Sequence, residues 1–202
     1  MAEALRLGRD RMLEPQDLPG RFGRVIKAID RVLAAAGIQA VLAGGWAVWR
    51  HGYDGRMTND VDVAIAADRV TEFMQMAAVS GFQVLNVGAG QWPKLIHKDT
   101  GIQVDILAEG ARPGMSTRPA PTTIPSPQLM GARGSALTYI RLESLVELKL
   151  AAARPKDEAD VIELIRANPE RWTEIRAHLE TIHNSYVEAF DRLQALANDP
   201  KI

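Results

Sequence analysis

Asp60 and Asp62 stand two residues apart in the run Asp60-Val61-Asp62-Val63-Ala64-Ile65, where acidic side chains alternate with apolar ones. On a strand, residues two apart share a face, so both carboxylates point one way while Val61 and Val63 point the other. Two carboxylates held side by side repel each other unless a proton or a cation sits between them. Upstream, Gly44-Gly45 ends an apolar run and precedes a short helical stretch, an arrangement whose backbone N–H groups can face a phosphate. A third acidic residue, Asp105, lies between β-forming neighbours in Val104-Asp105-Ile106. Together these residues suit a divalent metal beside a phosphate-binding turn. Magnesium takes hard oxygen ligands, commonly a few carboxylates with substrate phosphates and water. One or two such ions would orient a nucleoside triphosphate, stabilise the pentavalent phosphorus and activate an attacking hydroxyl. Asp105 suits the remaining role of metal ligand and proton acceptor.

These residues need elements to hold them. Phe22, Val25, Ile26, Ile29, Val32 and Leu33 recur at helical spacing, and Gly37 follows as a C-terminal cap. The apolar run 38–43 reads as a buried strand, residues 46–50 as a short helix with Trp46 and Trp49 on one face, and 60–65 as the aspartate strand. Asp68 is expected to cap a helix bearing Val70, Phe73, Met74 and Ala77, closed by Gly81. Strands are expected over 82–87, 93–97 and 102–107, with turns at Gly88-Ala89-Gly90 and Lys98-Asp99-Thr100-Gly101. Residues 110–134 hold five of the 11 prolines without periodicity, which predicts a mobile loop, a lid or a linker. Helices follow over 142–153, 157–167 and, in one or two pieces, 172–196. The organisation expected is a loose lead-in over 1–20, an α/β core over 21–110, a Pro/Gly-rich segment over 111–135 and a helical region over 136–202.

Composition narrows the classes. At 202 residues and 47% hydrophobic content the chain can bury an ordinary core. A net charge of −1 provides no global attraction to nucleic acid or anionic membrane, leaving RNA conceivable only as an acceptor. The absence of cysteine excludes disulfides, thiolate nucleophiles and zinc–thiolate sites. The opening residues show no uninterrupted apolar leader and no later run has membrane-spanning length, so a cytoplasmic location is expected.

The text GGWAVWRHGYDGRMTNDVDVAI, followed at a distance by an apolar-Asp-apolar strand, resembles the nucleotidyltransferase superfamily related to DNA polymerase beta. It is similar to the small bacterial branches, the lincosamide and aminoglycoside nucleotidyltransferases and the AbiE-type toxins. The segment LESLVELKLAAARPKDEADVIELI resembles the helical region that such toxin-like proteins carry, and the resemblance covers about residues 22–167. It implies a mixed twisted α/β sheet flanked by helices, with a C-terminal helical region. It also implies Mg2+-dependent transfer of a nucleoside monophosphate to an acceptor hydroxyl on a small molecule, protein or RNA. Carried over by position, Gly44 and Gly45 would contact phosphates, and Asp60, Asp62 and Asp105 would be the catalytic and metal-binding carboxylates. Arg56, Thr58 and, more loosely, Lys149 would help bind the nucleotide. Two departures stand out: Gly45 replaces a serine found in many members, and the spacing from Gly45 to Asp60 is slightly long, as if 52–55 were an insertion.

Plainer readings exist for each piece. An Asp-x-Asp is often a solvated strand face, Gly-Gly is often only a turn, and Gly88-Ala89-Gly90 suits a hairpin. Lys149 on an apolar helix could simply snorkel to water, and Asp157 and Asp160 suit a helix start. Trp46 and Trp49 read as core. His51, His97, His178 and His183 are too scattered for zinc, while Arg50, Arg56 and Arg133 are candidates for meeting a triphosphate. The alternative from another class is a catalytically silent member that binds a protein partner, such as an antitoxin.

Overall fold

The structure is a computed structural model and describes residues 12–86, 88, 91–115 and 117–199. Most of the lead-in, and Ala89 and Gly90 of the expected 88–90 turn, therefore lie outside the described residues.

Six strands form one mixed sheet in the order β3-β4-β5-β2-β1-β8. They are β1 (Ala40–Leu42), β2 (Asp60–Ile65), β3 (Phe82–Leu85), β4 (Lys94–His97), β5 (Gln103–Ala108) and β8 (Leu137–Tyr139). β2 runs antiparallel to β1 but parallel to β5, and β8 is parallel to β1. The helices are α1 (Gly20–Ala36), α2 (Gly44–Arg50), α3 (Val70–Val79), α4 (Leu142–Ala152), α5 (Pro155–Ala167), α6 (Trp172–Ile182) and α7 (Asn184–Ala197). The expected mixed sheet with flanking helices and a helical C-terminal region is what the chain forms.

Strand alternation divides the core in two. Leu42, Val61, Val63, Ile65, Val104 and Ile106 face the layer containing α1 and α3. Val41, Ala43 and Ala64 face the other way, into a core shared with α4 to α7. Asp62 sits on this second face, since Ala43 N–H donates to its carbonyl and Val41 pairs with Ala64 two residues on. The periodic residues of α1 (Val25, Ile26, Ile29, Val32 and Leu33) are buried, and Gly37 closes the helix at φ +63°. Trp46 and Trp49 are core residues, with Phe22 packed 4.8 Å from the Trp46 ring.

Some expectations are corrected. Asp68 does not cap α3: a 3-10 turn over Ala67–Arg69 leads into the helix, and Arg69 stands at its N-cap without a side-chain bond. β3 ends at Leu85, and Val87, the expected end of the strand, lies outside the described residues. The Pro/Gly-rich segment is no free linker. Ala120, Ile124, Met130 and Ala132 are buried in the helical core. Gly110 N–H donates to Ile124 C=O, Ile124 N–H to Ala111 C=O and Arg141 N–H to Met130 C=O, while the Thr122 and Tyr186 hydroxyls meet at 2.7 Å. Within it, β6 (Gly114–Met115) and β7 (Arg118–Pro119) pair as a small second sheet. A sequence with few ladder-forming positions is thus fixed by scattered backbone bonds and single buried side chains.

Helix α4 is buried on nearly every side, yet carries Glu143, Glu147 and Lys149. Each charge has a partner on a neighbouring helix or turn. Glu143 pairs with Arg171, Glu147 meets His178 Nε2 at 2.7 Å, and Lys149 pairs with Asp157 and Asp160. Pairing is the condition on which such groups survive burial.

Candidate functional site

The β2–β5 register puts Asp62 directly beside Asp105, and Asp60 lies two residues from Asp62 on the same face. Three carboxylates thus meet on the sheet face that looks toward the helical half. Asp60, Asp62 and Asp105 all line a cleft of about 190 Å³ together with Gly44, Gly45, Arg56 and Lys149. Seven of the eight sequence-derived site residues are therefore gathered in one place. The eighth, Thr58, lies behind it. Its hydroxyl donates to Asp60 Oδ1 at 2.8 Å, so it orients a carboxylate.

The glycine pair has a structural reason of its own. Gly44 has φ +61°, and a Cβ there would lie 1.7 Å from Asp62 Oδ2. A Cβ at Gly45 would stand 2.6 Å from Thr58 Cβ and Oγ1. Only glycines let the Asp62 carboxylate and the Thr58 side chain approach this closely, which also explains why no serine stands at position 45. The loop after α2 is equally fixed, with Asn168 Nδ2 donating to His51 C=O at 2.8 Å.

Crowding of like charges shows in the titration of Asp62. Burial first, then repulsion from Asp60 and Asp105, push its carboxyl up from 3.8 to about 6, with Lys149 and Arg154 opposing. Asp60 is steadied by Thr58. Asp105 is held elsewhere: Lys94 Nζ stands 2.8 Å from each of its oxygens, and Gln103 Nε2 donates to Oδ1 at 2.7 Å.

The opposite wall is basic. Arg56, Lys149, Arg154 and Lys156 line it, with the ion-paired Asp157 among them. Lys149 does not snorkel to water. Its ammonium is buried and donates to Asp157 Oδ1 at 3.0 Å and Asp160 Oδ2 at 2.7 Å. Asp157 and Asp160 are accordingly ion-pair partners in the interior and make no cap bond, for α5 begins after Arg154 with Pro155. Arg154 clasps Asp157 through Nε and Nη2, and Arg56 Nε lies 3.2 Å from Asp160. The carboxylate of Asp157 is held below its usual range, hydrogen bonds from Arg154 and the charge of Lys149 prevailing over burial, which is the largest influence and acts the other way. Among the candidate arginines, Arg50 stacks over Tyr139 at 5.9 Å and Arg133 is exposed, and neither lines the cleft.

Sequence reasoning missed Arg154, Lys156, Lys94 and Trp92, the last of which also lines the cleft. A signal for the first two was present: Arg154-Pro155-Lys156-Asp157 puts two cations at a helix start, where acidic residues are the usual preference.

Among the described residues, no group of three or more His, Cys, Asp or Glu side chains converges on a point that could hold a metal ion. The donors nonetheless fit a hard divalent cation. They are all carboxylate oxygens, on adjacent in-register strands, and burial and the neighbouring carboxylates hold the Asp62 carboxyl above its usual range, a crowding that a bound cation would relieve. Both oxygens of Asp105 are engaged by Lys94.

No helix among the described residues is long and apolar enough to cross a membrane. No family model matches the chain, and no curated protein matches it. Among solved structures, the chain is similar to the crystal structure of ANT(2")-Ia in complex with adenylyl-2"-tobramycin. That match has 16% identity and a TM-score of 0.49, covering 89% of this chain and 98% of that one. It is also similar to the solution structure of the antibiotic-resistance factor ANT(2'')-Ia, at 13% identity and a TM-score of 0.42, over 86% of this chain and 89% of the other.

Proposed function

We propose that this chain is a nucleotidyltransferase, moving a nucleoside monophosphate from a nucleoside triphosphate to an acceptor hydroxyl and releasing pyrophosphate. The observation that carries this reading is the opposition of two walls in one cleft: Asp60, Asp62 and Asp105 on the sheet, and Arg56, Lys149, Arg154 and Lys156 across from them. An acidic wall suits a divalent cation and a basic wall suits a polyphosphate, and a metal–nucleotide complex presents both.

Asp60 and Asp62, with Asp105 once free of Lys94, would hold Mg2+, which when bound supplies charge neutralisation on the phosphates. The exposed Arg154 and Lys156 would meet the triphosphate directly, and the buried Lys149 and half-buried Arg56 would add positive field from behind. Gly44 and Gly45 leave their backbone open to the phosphate side of the cleft. Asp105 would accept the proton of the acceptor hydroxyl as its oxygen bonds to the α-phosphorus and the bond to the pyrophosphate oxygen breaks. Positioning and charge complementarity supply most of the rate.

The test is calorimetric titration of each of the four nucleoside triphosphates, with and without Mg2+, into wild type and Asp60→Asn/Asp62→Asn. Metal-dependent binding lost in the double variant is the expected result. A folded wild type that binds none of them would overturn the reading in favour of a silent, partner-binding protein.

A further inference from the structure

β4 opens at Lys94, directly across from Asp105 in the β4–β5 register. The ammonium contacts both carboxylate oxygens at 2.8 Å, and Gln103 adds a third bond. Asp105 lines the cleft whereas Lys94 does not, so the ammonium holds the carboxylate from the strand side. The pair is largely shielded, with the side chains 24% and 15% exposed. This arrangement supplies one positive charge to a face that otherwise carries three negative ones. Both oxygens of Asp105 are thereby engaged by the ammonium, although Asp105 and Asp62 are paired in the sheet.

Resting on the nucleotidyltransferase reading, we propose that Lys94 is a positioning residue that competes with the metal for Asp105. The third carboxylate is then recruited to the metal only when a nucleotide arrives with it. A cation arriving alone must displace an ammonium and leave it facing the cation without an anion. A metal–triphosphate complex brings the compensating negative charge with it, so displacement of Lys94 no longer leaves two unscreened positive charges together. Metal and nucleotide therefore bind synergistically, and by linkage each tightens the other by the same factor. The device keeps the site from filling with metal in the absence of its substrate.

The experiment measures Mn2+ binding by calorimetry to wild type, Lys94→Met and Lys94→Arg, alone and in the presence of each nucleoside triphosphate. Thermal melts confirm that each variant is folded, and Lys94→Gln serves as a second neutral variant. The neutral variants are expected to bind Mn2+ alone about tenfold more tightly than wild type, equivalent to about 1.4 kcal/mol. Their metal–nucleotide synergy should shrink by a similar factor, and Lys94→Arg should behave as wild type. Equal or weaker Mn2+ binding by folded neutral variants overturns the role of Lys94 while leaving the proposed activity standing. Failure of every protein to bind Mn2+, with or without nucleotide, overturns both together.

Discussion

Replacing Asp62 by Asn should make the metal-free protein more stable at neutral pH while abolishing the proposed nucleotidyl transfer. The carboxyl has an ordinary value of 3.8 in the unfolded chain and about 6 in the folded one, because it is buried and faces Asp60 and Asp105. The folded state thus holds this proton more tightly than the unfolded state does, and the linkage slope is negative: stability falls as pH rises between the two values. Below about pH 4 both states are protonated and nothing is lost. Above about pH 6 the full gap applies, and at about 1.4 kcal/mol per pH unit it comes to about 3 kcal/mol. Asn removes that cost at nearly constant volume, so the variant should gain up to about 3 kcal/mol at pH 7.5, or roughly 6–12 °C in Tm for a chain of this size. His51 adds a slope of opposite sign in the same range. Its imidazole, buried with one nitrogen 2.8 Å from Ile140 C=O, is pushed from 6.5 down to about 4. The useful quantity is therefore the difference between variant and wild type, from which the His51 contribution cancels. Urea unfolding at half-unit steps from pH 4 to 8, in chelator, supplies it. A gain that is as large at pH 4 as at pH 7.5, or a loss at pH 7.5, would refute the charge-crowding argument.

Two further pairs of substitutions probe what pattern alone does not reveal. Gly37 and Gly44 have nearly the same φ, +63° and +61°, but a Cβ at Gly37 meets nothing within 4 Å while one at Gly44 meets Asp62 Oδ2. Both changes to Ala should cost about 1–2 kcal/mol for the left-handed conformation, and Gly44→Ala roughly 1–3 kcal/mol more for the collision; equal costs in denaturant unfolding would disprove the close approach. Lys149→Met should strip the buried Asp157 and Asp160 of their shared cation and destabilise the fold by about 3 kcal/mol, whereas Arg154→Met, removing a half-exposed partner, should cost about 1 kcal/mol or less. A Lys149→Met protein as stable as wild type would show that those ion pairs do not hold the helices together.

The pattern of the sequence exposed the site unevenly, for reasons that lie in what pattern can encode. Alternation along a single strand is local, so Asp60 and Asp62 could be placed on one face from their spacing alone. Asp105 is beside Asp62 only because β5 pairs with β2 across a helix and a hairpin, and no periodicity carries that register. Helix α4 misled in a different way. A helix buried all round has no polar face to announce which of its charges stay inside, so Lys149 looked free to reach water when Asp157 and Asp160, one turn apart on α5, were already facing it. The clue was the mixture itself: Glu143, Glu147 and Lys149 in an otherwise apolar helix cannot be buried singly. The proline-rich segment was opaque because single anchors such as Ile124 and Met130 make no rhythm. What joins these cases is that the carboxylates come from the sheet and the cations from the turn before β2 and from α4 and α5. Arg56 reaches Asp160, Lys149 joins α4 to α5, and both line the cleft with the strand that carries Asp60 and Asp62. The three strand carboxylates face cations drawn largely from the helical half, so this pairing of charges exists only where the two cores meet across the sheet.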